Sequence, residues 1–286
     1  MNQPVALITG SSAGIGKSAA RQMVAKGWRV IGTGRNPDRS AAAIEEIRAA
    51  AAHGGSFTML QADFDSMAEV SKLAQQVLSI TDRLDVLVNN AGGVRDRIIR
   101  TDEGTEATFA ANHLAPFLLT RELLPLLKAT AASQPAGTVR VIAVGSSAHR
   151  RPDGMDWDDL QSFNSDHNMA YCRAKLANNL FTRELARRVA ADGIVAQSMH
   201  PGVVASNFAS HGDDFMQKHM ASAPTVPSDL PAETIVWLAT DPEGGRDAGR
   251  YFHLKAEETP ADCALDDEAA ARLWLESERL LAEIGV

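Results

Sequence analysis

Seven short apolar runs alternate with longer helical patterns along this chain, and that alternation limits the fold more than any other feature. The runs are 4–9 (PVALIT), 29–33 (RVIGT), 56–60 (SFTML), 84–88 (LDVLV), 138–144 (TVRVIAV), 193–199 (GIVAQSM) and 249–254 (GRYFHL). They are rich in Val and Ile, and several are almost wholly apolar, as strands covered on both faces are. Helical patterns lie between them, near 14–26, 39–52, 67–80, 104–129, 168–191 and 229–240. A last one at 266–283 carries Leu273, Trp274, Leu280 and Leu281 at helical spacing. Strand–helix alternation predicts a parallel sheet with right-handed crossovers. A chain of 286 residues, 45% apolar, can build such a sheet as one domain, and no linker or internal repeat divides it.

Charge narrows the function classes. Lys plus Arg is 28 and Asp plus Glu is 36, a formal charge of −8. A general binder of nucleic acid or of acidic membranes needs the opposite balance. The two cysteines, Cys172 and Cys263, make neither a disulfide framework nor a zinc knuckle. No basic-then-apolar signal segment opens the chain, and VALIT (5–9) is too short to span a bilayer. The expectation is a cytoplasmic protein without stable membrane insertion.

The first strand runs into TGSSAGIG (9–16) and then into a helix. Gly10 lets the chain turn sharply. Gly14 and Gly16 remove side chains where backbone approaches a ligand and where helix packs on strand. The helix N-terminus presents unpaired N–H groups and partial positive charge, which suits a dinucleotide pyrophosphate. Asn89, Asn90, Ala91 and Gly92 end another strand at the same predicted sheet edge. Further on, YCRAK sets Tyr171 and Lys175 at i and i+4, on one face of a helix. An ammonium near a phenol favours phenolate, bringing the proton of a group of ordinary pKa ~10 closer to exchange.

The spacing TGSSAGIG resembles the TGxxxGIG turn of the short-chain dehydrogenase/reductase family. LVNNAGG (87–93), VIAVGSSAH (141–149), YCRAK (171–175) and HPGVV (200–204) follow in that family's order. The resemblance spans about residues 4 to 254. It implies an α/β fold: a single Rossmann-type doubly wound domain over 1–286, about seven parallel strands with helices on both faces. It also implies a nicotinamide cofactor held by Gly10, Ser11, Ser12, Gly14, Ile15, Gly16, Arg35, Asp63, Phe64, Asn90, Ala91, Gly92, Pro201, Gly202 and Val204, with Tyr171 and Lys175. Asp63 meets the adenine in this reading. The catalytic set is Asn112, Ser147, Tyr171 and Lys175. The family's SSxAH element is taken to put the active hydroxyl on Ser147, with adjacent Ser146 pointing elsewhere. Pro116 leaves the Asn112 carbonyl without its helical donor, free to hold a water that links Lys175 to solvent.

The second strand ends VIGTGRN. An acidic residue at this strand end would bind a ribose 2′-hydroxyl. Gly34 stands there instead, followed by Arg35, whose guanidinium can clamp a 2′-phosphate. NADP(H) is therefore favoured over NAD(H), with Ser11 and Lys17 as helpers. YCRAKLANNLFTRELARR and SSAHRRPDG resemble the family's retinol-dehydrogenase-like branch, whose members often handle lipophilic alcohols and carbonyls. The expected reaction is hydride transfer between NADP(H) and a small or lipophilic alcohol or carbonyl compound. Alternatives are a non-catalytic redox sensor and a reductase of conjugated double bonds.

Residues 201–230 form the least regular segment and read as a substrate cover. Met155, Trp157, Met169, Phe208, Phe215, Met216 and Met220 are candidate pocket residues. Arg95, Arg97, Arg100, Arg150 and Arg151 gather near the predicted site, either to attract an anionic substrate or as a solvated rim. The histidines (His149, His200, His211 and His219 among them) are expected to form no ligand cluster, and no metal is expected. The helices near 104–129 and 168–191 are candidates for a homo-oligomer interface.

Overall fold

The computed structural model describes residues 3–205, 208 and 212–286, with the side chains of residues 215, 216, 219 and 220 outside that description. The predicted runs become strands β1 (Val5–Ile8), β2 (Arg29–Gly34), β3 (Ser56–Gln61), β4 (Val86–Asn89), β5 (Arg140–Val144) and β6 (Val195–Met199). After β6 come a two-residue strand β7 (Val204–Ala205), its partner β8 (Val226–Pro227), then β9 (Tyr251–His253) and β10 (Ala256–Glu258). The main sheet has eight strands in the order β10-β9-β6-β5-β4-β1-β2-β3. Seven of them run parallel; β10 turns back antiparallel on β9. This is the expected doubly wound sheet, extended by one edge strand. The sequence hid β10, because Ala-Glu-Glu carries no apolar run.

Helices cover both faces. On one side lie α1 (Gly14–Ala25), α2 (Pro37–Ala49) and α8 (Asp229–Thr240), which bury Met23, Ile47 and Ile235 against Ile8 and Val30. On the other lie α3 (Met67–Ile80), α5 (Ala115–Ala131) and α6 (His167–Val189), with Leu73, Leu118 and Leu180 packed on Leu7 and Leu87. A one-turn helix α4 (Ala107–Phe109) and a π turn over Ala110–Leu114 lead into α5. The short helix α7 (Asp214–Ser222) lies in the irregular segment. Starts are set by side-chain caps: Asn36 accepts from Arg39 N–H at α2, with Pro37 at the first helical position, and Asp166 accepts from Asn168 and Met169 N–H at α6. Among the described residues, no helix is long and apolar enough to cross a membrane.

The predicted C-terminal helix, α9 (Asp267–Glu283), packs across α6. Trp274 is its anchor. Its ring meets Phe117 edge-on at 4.8 Å, stacks on Phe181 at 5.9 Å and carries the Arg188 guanidinium at 4.3 Å. Helices α5, α6 and α9 therefore share one aromatic cluster. Trp274→Ala should destabilise the protein by ~3–5 kcal/mol; urea unfolding followed by far-UV circular dichroism reads this. A loss below ~1 kcal/mol would mean that α9 adds little to the core.

Candidate active site

Strand order reverses between β1 and β4, which are parallel neighbours with Ile8 opposite Val88. Chain leaving the two carboxyl ends diverges, and a crevice opens between. The glycine turn lies on one side and Asn90–Gly93 on the other. Asn90 stitches the two together: its Nδ2 donates to the Thr9 carbonyl at 2.7 Å. Thr9 Oγ1 accepts from both Asn90 N–H and Ala91 N–H at 2.9 Å. Thr33 Oγ1 accepts from Gly10 N–H at 3.0 Å. Neither threonine was among the expected site residues. Both are buried, and only the topology shows that Thr9 binds the two edges of the crevice together while Thr33 fixes the glycine turn to β2.

The crevice is a cleft of about 280 Å³ walled by Gly10, Ser12, Gly14, Ile15, Gly34, Arg35, Asp63, Phe64, Asn90, Ala91 and Gly92, and by Arg39, Arg95 and Phe208. Most of the expected cofactor residues thus meet in one place. Ser11 and Gly16 do not face it. Ser11 is fully buried and its hydroxyl donates back to the Ile8 carbonyl at 2.7 Å, so it braces the turn from behind. A Cβ on Gly16 would strike the Gly10 carbonyl, so its part is to let α1 pack on the turn. Pro201, Gly202 and Val204 also lie outside these walls. The cradle suits a dinucleotide: its floor is glycine backbone and it faces the start of α1.

Behind Gly92 the chemistry gathers. A Cβ on Gly92 would come within 2.5 Å of Asn112 Oδ1 and 3.6 Å of Lys175 Nζ. Asn112 is 1% exposed, and its amide clasps the loop after β4. Its Nδ2 donates to the carbonyls of Gly93 (2.9 Å) and Thr108 (2.8 Å), and its Oδ1 accepts from Gly93 N–H at 3.1 Å. Pro116 has no N–H to close on the Asn112 carbonyl, and the helix widens to a π turn at that point. The neighbouring His113 is fully buried, bonded through Nε2 to Ser277 Oγ at 2.7 Å, so the Asn112 turn is tied to α9. Burial pushes the His113 imidazole down to about 3 and keeps it neutral.

Tyr171 and Lys175 share the inner face of α6. Lys175 Nζ lies 5.8 Å from the Tyr171 ring centre and donates to the Val144 carbonyl at 3.2 Å. The expected drop in the phenol's pKa is not what these side chains produce by themselves. Burial pushes Tyr171 well above the ordinary phenol range, against the opposing effect of a hydrogen bond with Ser146. Burial likewise brings the Lys175 ammonium down to about 8.

That hydrogen bond overturns the expectation that Ser146 points elsewhere. Ser147 is exposed at the first position of a 3₁₀ turn (Ser147–Arg150), whereas Ser146 caps that turn and meets Tyr171. The signal was present in the sequence. Counting back from Ala148-His149, the S-x-A-H spacing falls on Ser146, with Ser147 at the x and Gly145 in place of the first serine.

A family model described as short chain dehydrogenase matches residues 4–215. This chain belongs to the short-chain dehydrogenase/reductase family. It falls in the retinol-dehydrogenase-like branch. Human retinol dehydrogenase 13 is 34% identical over 284 residues, covering 96% of this chain and 83% of the relative. Human retinol dehydrogenase 14 is 35% identical over 298 residues, covering 97% and 86%. Among solved structures, a Pseudomonas aeruginosa RhlG/NADP active-site complex superposes with a TM-score of 0.70 at 26% identity, covering 91% of this chain and 96% of that one. The protein is thus an NAD(P)-dependent short-chain dehydrogenase/reductase, an oxidoreductase.

Several expected contacts of this dehydrogenase are already engaged inside the protein. Arg35 stands 3.6 Å from both Asp63 and Asp65. Lys17 pairs with Glu46 at 2.6 Å and is directed away from a helper's part. Arg95 holds Asp65 with both short contacts, Arg100 lies on Phe163, and Arg150 donates to the Thr259 carbonyl. Exposed Arg97 is within 3.5 Å of Asp96. Phe208 packs against Tyr171 at 5.5 Å between ring centres. Met155 belongs to the core and Trp157 lies under Arg272. Phe215, Met216, His219 and Met220 have their side chains outside the described set, as does His211 entirely. Contrary to expectation, two histidines do cluster with a carboxylate: His200, His253 and Glu258.

Lys175 makes a stability prediction. Its folded pKa is lowered, so below about pH 8 the folded state bears the full cost of a buried ammonium. The unfolded lysine deprotonates near ~10.5, so this cost fades as pH rises from about 8 through that value. Lys175→Met should raise stability at pH 7 by about 2 kcal/mol while the gain vanishes above roughly pH 10.5. Urea midpoints at both pH values check it; a variant less stable at pH 7 contradicts the stated cause.

Proposed function

We propose that the protein transfers hydride between NADP(H) and a lipophilic alcohol or carbonyl compound, with Tyr171 as the general acid and base. The single observation that carries this reading is the Ser146–Tyr171–Lys175 group, with Lys175 behind Gly92 and Tyr171 against Phe208, two residues of the cleft wall. The nicotinamide, when bound, supplies or accepts the hydride. Tyr171 then gives a proton to the substrate oxygen or takes one from it, and Ser146 donates a hydrogen bond to that oxygen as charge develops. Lys175, poised near 8, relays a proton at neutral pH and steadies the phenolate. The Asn112 carbonyl, left without a helical donor by Pro116, serves as the next acceptor for that relay. A pure redox sensor has no use for this full set. A lipophilic substrate accords with the two human relatives, both retinol dehydrogenases, and with the aromatic ring of Phe208 against Tyr171.

NADP preference rests on the far end of the cleft. No carboxylate occupies position 34. Arg35 and Arg39 both border the cleft, and Asn36 caps α2 beside them. A 2′-phosphate brings two negative charges to this end, enough to draw guanidinium groups from Asp63 and Asp65.

Ser146→Ala and Tyr171→Phe should each lower kcat/KM by ~10²–10⁴, with nucleotide binding retained. Ser147→Ala should stay within about threefold of the wild type, as expected of a surface change. A panel of aldehydes, ketones, alcohols and enones read by NADPH absorbance measures all three; near-full rates with Tyr171→Phe would refute the mechanism, and enone-only turnover would move the activity to double-bond reduction. Replacing Arg35 and Arg39 together by Ala should raise the KM for NADPH by ~10–100-fold and leave that for NADH nearly unchanged. Equal losses for both nucleotides would remove the phosphate clamp.

A further inference from the structure

His200 leaves the end of β6, His253 ends β9, and Glu258 ends β10. Three separate stretches of chain thereby converge on one spot at the sheet edge, where the ligand atoms of the three residues all lie within 4.8 Å of one another. The two imidazoles are nearly parallel, with ring centres 4.0 Å apart, and His200 Nε2 stands 3.3 Å from Glu258 Oε2. Tyr251 closes the inner side by stacking on His200 at 5.5 Å.

We propose that His200, His253 and Glu258 form a Zn²⁺ site. The donor set is two imidazole nitrogens and one carboxylate oxygen, a combination that suits zinc with a water in the fourth position. The surroundings of His253 are those of a metal-bound ring. Its Nδ1 lies 3.1 Å from the His200 carbonyl, which fixes the proton on Nδ1 and leaves Nε2 as the unprotonated nitrogen. His200 Nδ1 now accepts a long contact of 3.3 Å from Gly202 N–H. Zinc on Nε2 moves the ring proton to Nδ1, and that weak contact is given up. Arg150 lies 3.5 Å from Glu258 and is the competing cation. Its guanidinium already donates to the Thr259 carbonyl at 2.6 Å, so it keeps a partner when zinc takes the carboxylate.

The consequence is mechanical. Glu258 and His253 belong to a hairpin turned by Leu254 and Lys255, both in the left-handed region at φ 47° and 65°. His200 begins the chain that leads through Gly202 into the segment expected to cover the substrate. A bound ion ties this hairpin to the root of that segment, independently of whether the enzyme turns over.

Equilibrium dialysis of the full chain against zinc chloride at pH 7.5, with bound metal counted by mass spectrometry, tests the site. The wild type should retain one Zn²⁺ per chain. His253→Ala and Glu258→Gln should each weaken binding by more than about tenfold, since loss of an outer-sphere partner alone has that effect. Zinc should raise the Tm of the wild type by roughly 5 °C near a hundredfold excess over Kd, and that of His253→Ala by no more than about half as much at the same zinc concentration. Far-UV circular dichroism confirms that the variants are folded, and His253→Gln replaces any that is not. Absence of retained zinc, or equal retention by the wild type and both variants, would overturn the proposal. Neither outcome bears on hydride transfer, which the dialysis does not read.

Discussion

Parallel pairing of β1 with β4 is the constraint on which the rest of this enzyme depends. It puts the glycine turn and the Asn90–Gly93 loop side by side with a gap between them. The gap must be kept open without exposing unpaired backbone. Thr9 does this with one hydroxyl that accepts two N–H groups from the opposite loop, and Asn90 returns a donor to the Thr9 carbonyl. These bonds are partly buried and knit two loops together, so losing one leaves a half-buried backbone group without its partner. From that fixed rim the Gly92 backbone approaches Asn112 and Lys175 closely enough that no side chain fits between.

Burial of Lys175 works against stability at neutral pH and, on the proposed mechanism, burial of the Tyr171–Lys175 pair works in favour of chemistry. Both groups are held toward neutrality by the same desolvation. An amine brought down to about 8 exchanges its proton at neutral pH far more readily than one at its ordinary value. The phenol is restrained, and only Ser146 counters that restraint directly. The Ser146 hydroxyl therefore has a double position, next to the phenol and capping the 3₁₀ turn that fixes its direction. Charge arriving in the cleft acts on a pair already stripped of water, where each interaction is stronger than in solution.

Much of this was legible in the sequence because backbone constraints write themselves into residue type. A strand covered on both faces must be apolar, so β1 to β6 and β9 were found within a few residues. A close turn must be glycine, so the cradle was found. Tyr171 and Lys175 were placed on one helix face by spacing alone. The S-x-A-H spacing already pointed to Ser146 over Ser147, and the turn that follows β5 shows why: its cap is Ser146, while Ser147 is left in solvent. The failures have a different origin. Thr9 and Thr33 look like ordinary strand residues until the strand order is known. His200 and His253 are distant in sequence and meet only because β9 lies beside β6. Strand order is a long-range property, and local patterns do not encode it.

On the proposed NADP preference, selectivity rests on charge balance at the nucleotide end of the cleft. Arg35 is not a free cation, because Asp63 and Asp65 each stand 3.6 Å away. These are long contacts to partly exposed groups, and such pairs are weak. A phosphate dianion accepting in-plane, charge-assisted hydrogen bonds competes well for the same guanidinium. A ribose hydroxyl, being neutral, does not, and in its presence Arg35 stays with its carboxylates. Arg95 meanwhile holds Asp65 at 2.7 Å and removes part of the negative charge that would repel the phosphate. On the proposed reading, discrimination comes from an exchange of partners at Arg35, with Arg39 and the start of α2 adding positive potential from the other wall.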